Sequence, residues 1–427
     1  MNSKVPLTLR IRERFSCGNS ILLIAECVLL SPSAHPQQPV AGSVRSTLTQ
    51  RLRTLNSPIS ANPLGTIGPG LENASLRSES EGFAVTQTSA GIDADALGRW
   101  LDTNDAPGAG ERPQLELLTG GSQNTLYRVV RGEHHMVLRM PGARADDARI
   151  DGLLREIRLV RALKGTDVPH AELLAADDDG SVLGAPFYVM AEIDGWSPMN
   201  GGWQPPFDTD LEARRGLAFQ LVEGAAKLGR VDWRAQGLEG FGRPDGFHER
   251  QVDRWLTFLS AYQVREMPGL DVAAEWLRRN RPEHYTPGIM HGDYQFANVM
   301  YAHGEPARLA AIVDWEMTTI GDPLLDLGWA LLGYDGEEPA SDGFYLDMAG
   351  MPTRSELLEH YESISGLSTE HIGYYLVLAN WKLGIMLEKT YAASLAPDTK
   401  VDPRVAEAMG PMVLKLMTTA ADLARSY

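Results

Sequence analysis

His291-Gly292-Asp293-Tyr294-Gln295-Phe296-Ala297-Asn298 carries more chemical information than any other stretch of the chain. An aspartate stands two places after the histidine, and an asparagine five places after that. Downstream, Ile312-Val313-Asp314-Trp315-Glu316 ends an apolar run on a second carboxylate. One loop therefore offers a carboxylate and an amide, and a nearby strand end offers another carboxylate.

The sequence on either side shows what holds these residues. Runs at 115–118, 126–130 and 135–140 have β character and are separated by Gly120-Gly121 and by Arg131-Gly132-Glu133. They predict a meander of antiparallel strands with two tight turns. Before it, residues 90–102 read as a short amphipathic helix. After it, Ile150, Leu153, Leu154, Ile157, Val160 and Leu163 recur at helical spacing, and 185–190 reads as a further strand. From about 205 onward helices dominate, at 208–229, 251–261, 272–280, 323–332, 355–365, 372–393 and 405–426. Short strands interrupt them at 288–291, 298–301 and 309–314. The reading is α+β, with a small β-rich lobe joined to a larger helical lobe. The domain boundaries expected are 1–88, 89–193 and 194–427.

Composition narrows the possibilities. The 427 residues hold 39 Lys and Arg against 56 Asp and Glu, a formal charge of −17. That balance argues against nucleic acid and anionic membrane surfaces, which need clustered cations. The two cysteines, Cys17 and Cys27, exclude a disulfide framework and a thiolate zinc site. No apolar run approaches the roughly 18 residues a membrane helix needs. Residues 1–88 differ from the rest, with eight basic residues against five acidic; the other 339 hold 31 against 51. Their Ser, Pro, Gly, Asn and Thr content reads as an unstructured extension. Arg10, Arg12 and Arg14 ahead of the apolar 21–30 run leave a targeting segment open. A cytoplasmic protein is expected, with an organellar one as the alternative.

A carboxylate that orients a hydroxyl, with an amide and a second carboxylate that hold Mg²⁺, is what phosphoryl transfer needs. His-Gly-Asp-x4-Asn, then Ile-Val-Asp-Trp-Glu, then Gly321-Asp322-Pro323-x2-Asp326-Leu327 resembles the aminoglycoside phosphotransferase and choline kinase-type superfamily. Closest in character is the phosphotransferase domain found fused to acyl-CoA dehydrogenases. The resemblance covers roughly 95–395 and implies a bilobal protein-kinase-like fold, with an antiparallel β-rich N-lobe and a mostly helical C-lobe.

Carried over residue by residue, the resemblance implies Asp293 as catalytic base, with Asn298 and Asp314 as metal ligands. His291 joins the catalytic set, with a loop-holding role expected of it; Asp326 is expected to brace the same loop. Glu316, two residues past Asp314 on an extended chain, either reaches metal or substrate or is simply solvated. In the small lobe, Gly120, Gly121, Ser122 and Asn124 resemble the family's nucleotide loop. The phosphate-binding Lys expected on the third strand is missing, since no Lys occurs between Lys4 and Lys164. Arg139 is the candidate replacement and Glu156 its partner, the alternatives being a solvated strand-end Arg and a plain surface Glu. Residues 188–192, including Met190 and Glu192, would form the hinge whose backbone binds the adenine edge. His134-His135 reads as exposed, and Trp315, Trp329 and Trp381 as core. By analogy with the family alone, Asn380, Trp381 and Glu388 could line the acceptor pocket.

The resemblance thus implies ATP as phosphoryl donor, Mg²⁺ as cofactor and a small-molecule hydroxyl group as acceptor. Two clues about that acceptor conflict. The fused relatives point to a hydroxyacyl compound or its CoA thioester, while the acidic body suits an aminoglycoside- or choline-like cation. The missing Lys also motivates a different class of function, a kinase-like nucleotide-binding regulator without turnover.

Overall fold

Asp93 caps the first helix of the computed structural model: its side chain accepts the N–H groups of Asp95 and Ala96 at the start of α1 (Ala94–Thr103). The structure describes residues 91–427 apart from 121–123, 144, 200, 335, 341–344, 398 and 400. The readings of 1–88, Gly121 and Ser122 lie outside the described residues.

The expected meander forms as β1 (Gln114–Gly120), β2 (Asn124–Arg131) and β3 (His134–Pro141). Helix α2 (Asp147–Leu163) follows, then β4 (Leu173–Asp177) and β5 (Phe187–Ala191). The five strands form one antiparallel sheet in the order β1-β2-β3-β5-β4. Because side chains alternate across a strand, the sheet sorts its residues by face. Met136, Leu138, Phe187 and Val189 pack against Leu97 and Leu101 of α1. Arg139 pairs across the strands with Tyr188 and lies on the opposite face, the one α2 covers.

The larger lobe is helical. Its elements are α3 (Leu211–Arg230), α4 (Phe247–Ser260), α5 (Leu270–Arg279), α6 (Leu324–Ala330), α7 (Arg354–Ser365), α8 (Ile372–Ser394) and α9 (Pro403–Ser426). Two small antiparallel pairs sit among them: β6 (Gly288–Met290) with β9 (Thr319–Gly321), and β7 (Val299–Tyr301) with β8 (Leu309–Ile312). Every residue of α8 from Ile372 to Glu388 is buried, which makes it the central helix of the lobe. Trp315, Trp329 and Trp381 are all core. The fold is therefore α+β and bilobal, with a β-rich small lobe and a mostly helical large one. Among the described residues, no helix is long and apolar enough to cross a membrane.

Candidate active site

The loop after β6 is built from its backbone outward. The N–H groups of His291 and Gly292 both donate to the Asp326 carboxylate, on the first turn of α6. Gly292 has φ +90°, and a Cβ there would lie 2.7 Å from the Met317 carbonyl oxygen, so the position demands glycine. Asp326 thus pins the loop by two backbone bonds. Replacing it with alanine would strand two buried N–H donors and lower the unfolding free energy by about 3 kcal/mol, as chemical denaturation would measure.

The imidazole of His291 is wholly buried. Its Nε2–H donates to the Val313 carbonyl at 2.8 Å, and its Nδ1 accepts the Asp293 N–H at 3.3 Å. One neutral tautomer satisfies both bonds, and burial pushes its pKa down. With its one ring proton given to Val313, His291 ties the loop to the end of β8 and has no proton to transfer. Its place in the catalytic set is therefore corrected to that of a loop holder.

Asp293 is 4% exposed. It accepts a hydrogen bond from Gln295 Nε2 at 2.6 Å and one from Asn298 Nδ2 at 3.0 Å. Asn298 Nδ2 also donates to the Asp293 carbonyl at 2.7 Å, which turns the amide nitrogen toward Asp293. Burial, and then the nearby Asp314 charge, push the Asp293 pKa up to about 7.

Asp314 reaches this loop through strand register. Val299 pairs with Ile312, and the Val313 N–H donates to the Asn298 carbonyl. Asn298 and Asp314 therefore flank the same end of the β7–β8 pair. Asp314 itself has φ +66°, one of two non-glycine residues with positive φ among those described. The chain then turns into a 3-10 segment, Trp315–Met317, so the extended geometry expected for Glu316 is corrected. Glu316 is exposed, and the Asp314, Glu156 and Asp293 charges act on it. Desolvation and then Asp314 push its pKa up to about 8.

The small lobe contributes to the same cluster. Arg139 Nε lies 3.0 Å from the Glu156 carboxylate, with both side chains 4% exposed. Tyr188 Oη donates to the other Glu156 oxygen at 3.0 Å. Burial works against the Arg139 charge, but Glu156, Tyr188, Asp314 and Glu316 outweigh it, so its pKa is raised. Glu156 is raised as well, by desolvation and by Asp314, against the pull of Arg139. The solvated alternatives for Arg139 and Glu156 are thereby set aside. Arg139→Met would leave Glu156 buried without its cation, at a cost of roughly 3–5 kcal/mol in unfolding free energy. Arg139→Met combined with Glu156→Gln would recover part of that loss, and a double-mutant cycle measures the coupling.

The remaining candidates are less convergent. Gly120 ends β1 opposite Thr125, and Asn124 starts β2 opposite Pro141. The Met190 backbone pairs with Val137 on one side and Leu173 on the other. Glu192 binds Arg128 Nη2 at 2.6 Å, so its side chain is committed within the lobe. His134 and His135 are exposed, as expected, but lie at the start of β3, paired with Arg131 and Val130. The acceptor-pocket reading of α8 needs correction too. Asn380 bonds the Leu376 carbonyl, Trp381 the Leu270 carbonyl, and Glu388 pairs with Arg265 at 2.9 Å. All three are buried and bonded within the large lobe.

Three participants went unrecognised in the sequence. Gln295 lay inside the quoted motif, and a polar residue two places past Asp293 was its signal. Lys382 interrupts the apolar run of α8. The third is a buried network in which Asp322 accepts from Tyr375 Oη and contacts His248 Nε2 at 2.8 Å; its members come from distant elements.

Among the described residues, no three His, Cys, Asp or Glu side chains form a metal cage. Mg²⁺ needs less, one or two carboxylates with waters and phosphates completing its shell. Asp314 raises the pKa of Asp293, Glu156 and Glu316 together. That mutual repulsion is what a divalent cation at Asp314 and Asn298 would relieve, so the residues fit the ion.

Comparison with known proteins bears on the family and the fold. The sequence profile described as the phosphotransferase enzyme family matches residues 114–362. Mouse acyl-CoA dehydrogenase family member 10 is 26% identical over 315 residues, covering 71% of this chain and 29% of that protein. Chicken acyl-CoA dehydrogenase family member 11 is 28% identical over 324 residues, covering 71% and 40%. The chain thus spans well under half the length of these relatives. A crystal structure of a candidate aminoglycoside phosphotransferase from Ralstonia eutropha superposes with a TM-score of 0.66 at 25% identity, covering 78% of this chain and 99% of that one. Spectinomycin phosphotransferase, crystallised with ADP and spectinomycin, shares the fold at a TM-score of 0.51 and 10% identity, covering 78% and 99%.

Proposed function

The chain belongs to the phosphotransferase enzyme family, and we propose that it transfers the γ-phosphoryl group of ATP to a hydroxyl group of a small molecule. The observation that carries this reading is the convergence on Asp314: its charge acts on Asp293 of the large lobe and on the Arg139–Glu156 pair of the small lobe. A base and a phosphate-binding cation then face one site from two sides.

In this reading the acceptor hydroxyl lies against Asp293. Its oxygen attacks the γ-phosphorus, its proton passes to the Asp293 carboxylate, and ADP leaves. Gln295 and Asn298 hold that carboxylate in place. Burial holds that carboxylate above the ordinary carboxylate range, which suits it to take a proton. Arg139, kept charged by Glu156, takes the phosphates from the small-lobe side. Asn298 and Asp314 would hold Mg²⁺, which supplies charge neutralisation on the transferring phosphoryl group. We further read 89–193 as the nucleotide lobe and 194–427 as the lobe carrying the catalytic loop and the acceptor site.

For the acceptor, the likeness to acyl-CoA dehydrogenase family members supports a hydroxyacyl compound or its CoA thioester. The test is ADP release with Mg²⁺ and ATP across a panel of hydroxyacyl compounds, amino alcohols and aminoglycosides. Acceptor-dependent ADP release is expected. Tight ATP binding with no acceptor-dependent release would instead make the chain a nucleotide-binding regulator.

A further inference from the structure

The helix that carries Glu156 is gripped from outside its own lobe. Arg155 and Arg158 lie one turn apart on α2 and share a face. Arg158 Nη2 donates to the Gly237 carbonyl at 2.6 Å and to the Glu239 carbonyl at 2.9 Å. Arg155 Nη2 donates to the Phe241 carbonyl at 2.9 Å. Two side chains thus take three carbonyls at alternate positions of one segment. The Phe241 ring lies beneath them, its centroid 4.3 Å from the Arg155 guanidinium carbon and 6.0 Å from that of Arg158.

That segment is fixed in the large lobe. It belongs to residues 231–246, which join α3 to α4 without helix or strand. Trp233, Leu238 and Phe241 anchor it in the core, and Trp233 Nε1 donates to the Pro287 carbonyl just before β6 at 3.1 Å. Gly242 packs so closely on β9 that a Cβ there would strike the Ile320 backbone. Arg155 Nη2 also lies 3.4 Å from the carbonyl oxygen of Thr318, which follows the 3-10 turn begun at Asp314. One side chain therefore touches both the 237–241 segment and the chain leading away from Asp314. The next residue along α2 is Glu156, the partner of Arg139. Both arginines are themselves exposed, so neither fills the core.

We propose that Arg155 and Arg158 are positioning residues for the nucleotide: they clamp α2 to the large lobe and so hold the Arg139–Glu156 pair in place before ATP arrives. This rests on the phosphotransferase reading, in which Arg139 takes the phosphates, and deepens it. A phosphate-binding pair carried on a helix free to swing would have to be ordered at each binding event, which lowers affinity. The missing lysine gives the clamp more weight. A planar guanidinium meets two oxygens only in a set orientation, so Arg139 depends on a fixed partner more than a compact ammonium would.

The test uses the full chain and titrates it by calorimetry with Mg²⁺ and a non-hydrolysable ATP analogue, while hydrogen exchange is followed over α2 and α8. Arg155→Met combined with Arg158→Met should weaken affinity for the analogue by about tenfold at unchanged stoichiometry. Exchange should quicken in α2 and stay as it is in α8. Arg155→Lys, whose ammonium can still meet the Phe241 carbonyl over the ring, should lose less affinity than Arg155→Met. A merely structural role would lower the stoichiometry through a misfolded fraction, or quicken exchange in both helices. Either result overturns the proposal, as does affinity within about twofold of the unaltered protein. If the double variant failed to fold, Arg155→Met alone, with an expected loss of about threefold, is held to the same criteria. Weakened nucleotide binding in the variant, with no acceptor phosphorylated by the unaltered protein, would keep the clamp and defeat the phosphotransferase reading. Transfer by the unaltered protein with affinity untouched in the variant would do the reverse, and no nucleotide binding by the unaltered protein would defeat both.

Discussion

Asp293→Asn is expected to lower acceptor phosphorylation by roughly 10²- to 10⁴-fold, the range that removal of a general base spans. Asparagine keeps the size of the side chain and one acceptor oxygen, so the bond from Gln295 or from Asn298 survives in part. It cannot take the hydroxyl proton. Nucleotide affinity should stay within about threefold, because Arg139 and the small lobe are untouched. Single-turnover kinetics with parallel nucleotide titrations checks both halves. A variant that still turns over at close to the normal rate would remove Asp293 from the mechanism.

Asp314→Asn is expected to be nearly as damaging for a different reason, and to change stability in the opposite direction from activity. With one charge fewer, the site would hold Mg²⁺ weakly, and transfer should fall by roughly 10³-fold, equivalent to several kcal/mol of lost charge stabilisation. Raising the Mg²⁺ concentration should restore part of the rate, which it would not do for Asp293→Asn. Chelating the metal from the unaltered protein should abolish transfer. In the metal-free protein, though, Asp314 is a source of repulsion, since its charge raises the pKa of Asp293, Glu156 and Glu316. Asparagine also tolerates the left-handed backbone at this position, where φ is +66°. The metal-free Asp314→Asn protein should therefore melt at the same temperature as its parent or higher. A lower melting temperature would mean that Asp314 serves the fold.

How much was legible in the sequence depended on whether the residues were neighbours in it. The 291–298 loop was legible because its base and amide lie within one loop, and their spacing survives folding unchanged. Strands β1 to β3 were legible from alternation and turn residues. Strand β4 was not anticipated, because Leu173-Leu174-Ala175-Ala176-Asp177 carries no β-branched residue and is fixed only by pairing with β5. Glu316 was misplaced because nothing local announces that Asp314 turns left-handed into a 3-10 segment. Asn380, Trp381 and Glu388 were read as pocket-lining by analogy with the family alone. Helix phase and packing put them in the core, together with Lys382, whose ammonium lies against the Trp255 and Trp329 rings. The Arg139–Glu156 pair was legible in outline, from a missing lysine and a helical register. Tyr188 became visible as its third member only through the β3–β5 pairing.

The most direct measurement is transfer of label from ATP carrying ³²P at its γ position to an organic acceptor. The unaltered protein and Asp293→Asn would be compared with Mg²⁺ over a panel of hydroxy acids. The account predicts a labelled, acid-stable phosphoester with the unaltered protein and essentially none with the variant. Label appearing only as inorganic phosphate, or in equal amounts with both proteins, would contradict it.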